Sequence, residues 1–288
     1  MNKSHTLDVF CIWLTIGDMR VTHSLDPFNA AGPMTVDPFD LDEPDDLRAP
    51  VLFASPHSGR HYPQDLRDKL DVPVMDLRRI EDAYVDELFS DVPTYGACFL
   101  KAGYARAYVD LNRDARELDP AMFSDGVPRA CGSASARVEA GLGCFPRITA
   151  RGEPIYARLL ERAEGERRLS GIHDLYHAAL QQKLQSFHDD KSVAFLVDCH
   201  SMPSTQPGRS ALPDIVLGDR FGSSCDTRVT GLLERTFRSH GLSVVRNAPY
   251  AGGYTTRRYG RPRRGFHAIQ IEINRSLYMD EATLERNN

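Results

Sequence analysis

The chain has 288 residues, of which 41% are hydrophobic and 26% are charged, so it can bury a large core and a single main domain is expected. Its formal net charge of -5 argues against nucleic acid or an anionic membrane surface as a partner. The six cysteines are scattered with no Cys-x-x-Cys pair, which argues against a zinc ribbon or a disulfide framework and favours a reducing cytoplasm.

The N-terminal segment differs in composition from the rest of the chain. Its apolar run "VFCIWLTIG" at residues 9–17 is bracketed by Asp8 and Asp18, and no A-x-A cleavage site follows it, which argues against a secretory signal. The run is also too short to span a bilayer. The Pro- and Asp-rich stretch "DPFDLDEPDD" predicts that residues 1–47 form an extension or a loosely packed arm before a domain of residues 48–288.

Short β-rich runs alternate with longer amphipathic stretches from residue 50 onward. The β-rich runs predict strands over 51–54, 97–100, 107–111, 193–198, 214–218, 242–245 and 267–273. The amphipathic stretches predict helices over 76–89, 156–169, 174–188 and 226–241. This order predicts the α/β class, with a layered domain and a mixed or largely parallel sheet.

A long irregular interval interrupts this pattern. Residues 131–154 are rich in glycine and have no clear periodicity, so we expect a surface excursion. Loops of this length often cover active sites, and a disordered insertion is the alternative.

Standard nucleotide-binding and serine-hydrolase motifs do not occur in the sequence. There is no G-x-x-x-x-G-K-[ST], G-x-S-x-G or H-E-x-x-H, and "GLGCFP" has Pro146 where a G-x-G-x-x-G motif needs its third glycine. The chemistry-bearing residues stand instead at the ends of predicted strands.

Two predicted strands are followed by a histidine and then a serine. His57 stands in "SPHSG" after the strand 51–54, and His200 stands in "DCHS" after the strand 193–198. Ligands of α/β proteins bind where the carboxyl ends of parallel strands meet. Two imidazoles joined there by one carboxylate would form a three-ligand zinc site with an open position, as hydrolysis requires. The alternative is that each histidine only hydrogen-bonds within a turn.

A further histidine pair, His173 and His177, lies at the start of the predicted helix 174–188. Their spacing of four residues places both rings on one face of that helix. The helix has a separate apolar set, and no H-E-x-x-H glutamate accompanies the pair. We therefore interpret these two residues as surface and capping histidines.

Asn112 and Arg113 follow the predicted strand 107–111, and Arg106 precedes it. A guanidinium beside a carboxamide suits a planar carboxylate, because arginine offers two parallel donors and asparagine adds a third. The alternative is an ion pair between Asp110 and Arg113 that stabilises a turn.

Glu272 stands in the middle of the last predicted strand, among isoleucines. A carboxylate buried without a partner is costly, so this side chain should face a metal, a cation or a polar pocket. Beside a metal it would be a natural general base. The alternative is an ion pair with Arg275 or another arginine.

Nine segments in chain order resemble the N-formylglutamate amidohydrolase family, between about residue 50 and residue 283. These segments are "SPHSG", "EDAYVDELF", "YVDLNR", "ELDPAMF", "YHAAL", "VDCHSMPS", "PDIVLGDRFGSSCD", "NAPYAGGYTTRRYGRP" and "HAIQIEINRSLYMDE". The resemblance implies the fold of zinc carboxypeptidases and aspartoacylase-like deacylases, which is a twisted mixed sheet with helices on both faces and one zinc ion at the sheet edge.

The resemblance also implies metal ligands. His57 and His200 would bind zinc, and an acidic residue of "IEDAYVD" would supply the third ligand. Zinc carboxypeptidases have an H-x-x-E motif, but Arg60 stands where this glutamate would be. Asp82 is the preferred third ligand, and Asp86 and Glu81 remain alternatives. Asp198, two residues before His200, is a candidate to orient a ligand. Iron, cobalt or nickel would also suit such ligands.

The reaction that the resemblance implies is hydrolysis of N-formyl-L-glutamate, a step of histidine degradation, to formate and glutamate. Asn112 and Arg113 would bind a substrate carboxylate, Arg106 would polarise the scissile carbonyl, and Glu272 would activate water. The second carboxylate needs another cation, which we expect in the basic stretch 250–265. The candidates there are Arg257, Arg258, Arg261, Arg263 and Arg264.

Two other functions remain open at this stage. A zinc deacylase or carboxypeptidase with this fold could act on another N-acyl amino acid or on a peptide, because one metal site serves many acyl groups. A non-catalytic binding protein is the less favoured alternative, because the candidate ligand, substrate and base residues occur together. In either enzyme the partner is a small-molecule N-acyl compound, and the sequence predicts no oligomeric state.

Overall fold

A mixed seven-stranded sheet forms the centre of the computed structural model, which describes residues 36–132, 135–206, 208 and 211–287. The strands are β1 (Phe39–Asp42), β2 (Val51–Ser55), β3 (Cys98–Ala102), β4 (Ala194–Met202), β5 (Ile215–Gly218), β6 (Val244–Arg246) and β7 (Phe266–Asn274). Their order in the sheet is β1-β3-β2-β4-β7-β5-β6. The four central strands β3, β2, β4 and β7 are parallel to one another. Strand β1 pairs antiparallel with β3, and β5 pairs antiparallel with β7 but parallel with β6. The prediction of a single α/β domain with a mixed, largely parallel sheet is confirmed.

Short and long helices surround this sheet. They are α1 (Gln64–Arg67), α2 (Val74–Arg78), α3 (Val85–Leu88), α4 (Ala136–Glu139), α5 (Arg162–Arg168), α6 (Asp174–Lys191), α7 (Thr227–Ser239) and α8 (Tyr254–Tyr259). A π-helical turn over Leu169–His173 joins α5 to α6. Single 3₁₀ turns occur at Val92–Tyr95, Pro120–Met122, Pro262–Arg264 and Arg275–Leu277. None of the described helices is long and apolar enough to cross a membrane.

Both faces of the sheet are covered, which explains why β2 is apolar at consecutive positions. Its residues alternate between two cores: Leu52 and Ala54 pack on the side of α6, whereas Val51 and Phe53 pack on the side of α7. Strands that are buried on both faces have continuous apolar sequences instead of alternating ones. The helices hold the sheet from both sides and leave the carboxyl ends of its parallel strands accessible.

The predicted strand 107–111 is wrong. This segment forms consecutive turns, in which the amides of Tyr108 and Val109 both donate to the carbonyl of Ala105. The amide of Asp110 donates to the carbonyl of Cys144, so the backbone makes no sheet pairing here. The apolar residues of the segment are buried in the core on the α6 side of the sheet, and this burial explains the strand-like pattern of the sequence.

The predicted helix 76–89 is wrong in its middle. It consists of the end of α2, a turn and α3, and Tyr84 adopts a left-handed backbone conformation with φ of 64°. In this turn the amide of Asp82 donates to the carbonyl of His57 at 3.0 Å. The interruption therefore brings Asp82 next to the segment that follows β2.

The predicted helix over 156–169 begins only at Arg162, because Tyr156 and Leu160 instead form isolated bridges with other segments. The predicted helix over 174–188 extends to Lys191, and the one over 226–241 corresponds to α7. Sequence reasoning did not predict α8.

Part of the predicted N-terminal extension lies in the sheet. Strand β1 pairs antiparallel with β3, with Phe39 opposite Ala102 and Asp42 opposite Phe99. The apolar run at residues 9–17 lies outside the described residues. The only described part of the extension is thus the part that follows residue 35.

Candidate active site

Three strand ends meet at one edge of the sheet and line a cavity of about 970 Å³. His57 follows the end of β2, His200 lies in β4, and Glu272 lies in β7 directly opposite His200 in the register of these two strands. All three side chains line the cavity. The parallel pairing of β2, β4 and β7 is what places residues far apart in sequence side by side.

Two histidines and an aspartate form a compact buried cluster in this cavity. His57, Asp82 and His200 each offer a ligand atom, and these atoms lie within 4.8 Å of one another. Oδ2 of Asp82 is 2.8 Å from Nδ1 of His200 and 3.3 Å from Nδ1 of His57. The three side chains are at most 3% exposed. Two imidazoles and one carboxylate are a ligand set used for zinc, so this cluster could hold a metal ion.

The electrostatics of the cluster favour a positive charge between these three groups. Burial disfavours the charged form of Asp82, but hydrogen bonds from His200 and His57 outweigh burial and hold its pKa well below the usual range. Burial likewise disfavours a charged His200, but Asp198 and Asp82 outweigh it and raise the pKa of His200 well above the usual value. A metal cation bound by Asp82, His57 and His200 would take the place of the proton that these side chains share.

Carboxylates on the far side of each imidazole fix its orientation. Nε2 of His57 lies 2.8 Å from Oδ1 of Asp110, and Nε2 of His200 lies 3.1 Å from Oδ2 of Asp198. A carboxylate on one ring nitrogen keeps a proton there, so the other nitrogen, Nδ1, is free to bind a metal. Asp198 was predicted from the sequence to have such a role. Asp110 was not predicted to have this role, and its place before Asn112 in "YVDLNR" was the only signal in the sequence.

Asp82 is the acidic residue that the structure brings to the histidines. Its second oxygen, Oδ1, accepts hydrogen bonds from Arg275 at 3.3 Å and Ser201 at 3.4 Å. The two alternatives have other partners: Asp86 pairs with Arg60, and Glu81 accepts a short hydrogen bond from the hydroxyl of Tyr62.

Glu272 is a buried carboxylate with a raised proton affinity. Burial raises its pKa to about 8, with a further contribution from the charge of Asp82. Its Oε1 accepts a hydrogen bond from Nε2 of Gln270 at 2.6 Å. The alternative of an ion pair with Arg275 is not observed, and Glu272 makes no ion pair within the described ranges. Its environment is that of a group which exchanges protons near neutral pH.

Arg106 lies at the cavity wall with part of its guanidinium available. Its Nε donates to Oδ2 of Asp110 at 2.9 Å, and its Nη1 lies 3.5 Å from the carbonyl of Ile80. The ion pair with Asp110 fixes the direction of the guanidinium group.

Asn112 lines the cavity, but its amide is already engaged. Its Oδ1 accepts hydrogen bonds from the amide and the hydroxyl of Thr255, both at 2.9 Å. Its Nδ2 lies 3.1 Å from Nε2 of His200 and 3.4 Å from Oδ2 of Asp198. The side chain of Asn112 therefore contacts the residues around His200 and has few free polar atoms for a ligand.

Arg113 is buried beside Asn112 and retains one amino group for a ligand. Its Nε donates to the carbonyl of Leu142 and its Nη1 to the carbonyl of Asn112, both at 2.9 Å. Nη2 lies 4.0 Å from Oδ2 of Asp110, so the ion pair considered from the sequence is long. Asp110 pairs more closely with Arg106.

His173 and His177 are not surface histidines, contrary to the interpretation from the sequence. They are 2% and 3% exposed. Nε2 of His173 lies 2.9 Å from the carbonyl of Arg113, and Nε2 of His177 lies 2.9 Å from the carbonyl of Leu111. The pair therefore supports the turn that carries Asn112 and Arg113.

The excursion 131–154 and the basic stretch 250–265, both expected at the site, contribute to the cavity in different ways. The excursion 131–154 contributes several described residues to the cavity wall, among them Leu142 and Ile148. The stretch 250–265 lines the cavity in part with Gly252 and Gly253, which present only backbone atoms. Among the described residues that line the cavity there is none of the five candidate arginines of that stretch, which are Arg257, Arg258, Arg261, Arg263 and Arg264.

Comparison with known proteins places the chain in a family. The profile of the N-formylglutamate amidohydrolase family matches residues 49–279. An N-formylglutamate deformylase from Pseudomonas putida is 31% identical over 81% of this chain and 83% of its own length, and one from Pseudomonas aeruginosa is 30% identical over 81% and 84%.

Solved structures agree with this assignment. The crystal structure of N-formylglutamate amidohydrolase from Ralstonia eutropha JMP134 superposes with a TM-score of 0.82 at 36% identity, covering 88% of this chain and 91% of the other. A gene product from Agrobacterium tumefaciens shares the fold at 18% identity, with a TM-score of 0.60 over 86% and 88% of the two chains. The chain is a hydrolase of an amide bond and belongs to the N-formylglutamate amidohydrolase family.

Proposed function

We propose that the chain hydrolyses N-formyl-L-glutamate to formate and L-glutamate with the help of a bound zinc ion. The observation that carries this proposal is the buried cluster of His57, Asp82 and His200 beside the carboxylate of Glu272, in a cavity at the sheet edge. The names of its relatives, which are N-formylglutamate deformylases, supply the substrate. The position of these three potential metal ligands at the edge of a mixed sheet supports a zinc-carboxypeptidase-like site.

His57, Asp82 and His200 would hold the zinc ion through two imidazole nitrogens and one carboxylate oxygen. A zinc ion with three protein ligands supplies a Lewis acid and lowers the pKa of water at its open position. Asp110 and Asp198 keep the Nε2 atoms of the two histidines protonated, so that the Nδ1 atoms remain available. The chemistry of these donors thus fits the metal.

Glu272 is the proposed general base and acid. A carboxylate whose pKa is raised by burial accepts a proton from water readily and can return it to the amine that leaves. Gln270 holds one oxygen of Glu272, which leaves the other free to face the reacting atoms. The direct register between Glu272 and His200 sets this carboxylate beside the cluster.

Arg106 is proposed to stabilise negative charge on the formyl oxygen. Its Nε is fixed by Asp110, whereas no hydrogen bond in the described part of the chain uses Nη2. A guanidinium donor that is already oriented costs little reorganisation when charge develops on the substrate. Arg106 and Glu272 would then act from the wall of the same cavity.

Arg113 is proposed to bind the α-carboxylate of the substrate through Nη2. Asn112, whose side-chain oxygen is held by Thr255 and whose Nδ2 lies 3.4 Å from Oδ2 of Asp198, is proposed to position the carboxylate of Asp198, with at most a secondary role in binding substrate. This proposal differs from the expectation that Asn112 and Arg113 bind a substrate carboxylate together.

Formate release by the purified protein tests the proposal. The protein would be assayed with N-formyl-L-glutamate as isolated, after treatment with a chelator, and after zinc is restored. Activity that the chelator abolishes and zinc restores is the expected result. Activity that survives complete metal removal would refute the metal mechanism. A zinc-loaded protein that releases only acetate or amino acids from N-acetyl or peptide substrates would replace the proposed substrate by another N-acyl compound.

A further inference from the structure

Two arginines from separate segments line the same cavity as the cluster of His57, Asp82 and His200. Arg137 lies on α4 within the excursion 131–154, and Arg220 lies in the turn after β5. Neither guanidinium forms an ion pair with any residue in the described ranges. Among the residues that the structure describes, the side chain of Arg220 donates one hydrogen bond, to the carbonyl of Gly252 at 3.2 Å. Both groups therefore keep donors for a ligand that carries negative charge.

The surroundings of these two side chains are positively charged. Burial lowers the pKa of Arg220, and the charges of Arg257 and Arg137 lower it further. Burial also lowers the pKa of Arg113, and the charges of Arg106 and Arg137 lower it further against the opposing charge of Asp110. Guanidinium groups held near one another repel, and a bound carboxylate would relieve that repulsion.

The backbone at Arg220 is held in a conformation that side chains rarely adopt. Arg220 and Phe221 have φ angles of 51° and 57°, which lie in the left-handed region. The side chain of Asn247 accepts hydrogen bonds from the amides of Asp219 and Phe221, at 3.1 and 3.3 Å. The amide of Arg220 donates to the carbonyl of Ala251 at 2.8 Å. Such conformations persist where the surroundings enforce them, and they are common at ligand sites.

We infer that Arg137 and Arg220 bind the side-chain carboxylate of the substrate and make the enzyme selective for N-acyl amino acids with an acidic side chain. The inference rests on the proposed function and assigns a second anion site within the same cavity. Arg113 would hold the α-carboxylate, and Arg137 and Arg220 would hold the side-chain carboxylate. A cavity of about 970 Å³ has room for a substrate with two carboxylates.

The test compares N-formyl-L-glutamate with N-formyl-L-glutamine, which has nearly the same shape but a neutral side chain. Both substrates would be assayed with the parent protein, Arg137→Ala, Arg220→Ala, Arg220→Lys and the control Arg263→Ala. Arg263 is an exposed arginine outside the cavity. We expect each alanine variant at the site to raise KM for the charged substrate about 10- to 100-fold, because each removes charge-assisted hydrogen bonds.

The neutral substrate distinguishes binding from folding. Its kcat/KM should fall much less than that of the charged substrate in Arg137→Ala and Arg220→Ala, and should be unchanged in Arg263→Ala. Arg220→Lys should restore part of the selectivity because it keeps the charge. An equal loss for both substrates, or an unchanged KM for N-formyl-L-glutamate, would overturn the inference.

Calorimetric binding of the same two compounds separates failure of this inference from failure of the proposed function. If the parent protein hydrolyses neither compound, the proposed function fails. Tighter binding of the charged compound, lost in Arg137→Ala and Arg220→Ala but retained in Arg263→Ala, would still support the second carboxylate site. Equal binding of the two compounds by the parent protein would refute it.

Discussion

Asp198→Asn is predicted to weaken zinc binding while leaving the fold intact. Asp198 is fully buried, and its Oδ2 lies 3.1 Å from Nε2 of His200, whose Nδ1 faces the proposed metal position. An amide of the same shape removes the negative charge that keeps the proton on Nε2 and makes the imidazole a better ligand. Loss of such a partner weakens metal affinity about 10- to 100-fold, which corresponds to about 1.4 to 2.8 kcal/mol.

The assay is competition for zinc between the protein and a chromophoric chelator, run at one pH for the parent protein and the variant. The matched control is Asp189→Asn, which makes the same chemical change at an exposed position on α6 and should leave the zinc affinity unchanged. Thermal unfolding of the metal-free proteins shows whether the variant still folds. A folded Asp198→Asn protein whose zinc Kd lies within twofold of the parent value would refute the reasoning.

Two further predictions concern the base and the core. Glu272→Gln should retain zinc but lower kcat by about 10²- to 10⁴-fold, because the amide cannot accept a proton from water. The metal content of the variant and its rate of formate release are the two measurements. Near-normal turnover would exclude Glu272 as the base. Phe99→Ala, at a position with no exposed surface, should lower the free energy of unfolding by about 3 to 5 kcal/mol in urea titrations. The control Val245→Ala, at 41% exposure, should change it by less than about 1 kcal/mol, and equal effects of the two changes would contradict the assignment of Phe99 to the core.

Local sequence patterns were sufficient for the elements that bear the central site residues. An apolar strand followed by a polar turn identifies its own carboxyl end, and parallel strands bring such ends to one edge. His57 and His200 were predicted in this way, whereas Glu272 was predicted from the cost of burying a carboxylate among apolar neighbours, and the structure places all three around one cavity. Their side chains are buried, as a strand end that is covered on both faces requires.

Other parts of the fold depend on contacts that no local pattern contains. The segment 107–111 has the composition of a strand, but its backbone hydrogen bonds go to a local turn and to Cys144. The helical pattern of 76–89 continues through a turn that the contact between Asp82 and His57 imposes. In both places tertiary packing overrides the local preference.

The sequence by itself determined the fold class, the family resemblance and the residue types of the site, because apolar periodicity and strand-end motifs are local properties of the chain. Only the tertiary structure decided which carboxylate joins the histidines, since Asp82, Asp86 and Glu81 lie within six residues and differ only in the partners that they meet. It also brought together Arg137 and Arg220, whose segments are far apart in sequence. Spatial proximity between distant segments arises from strand pairing and packing, and no spacing along the chain encodes it.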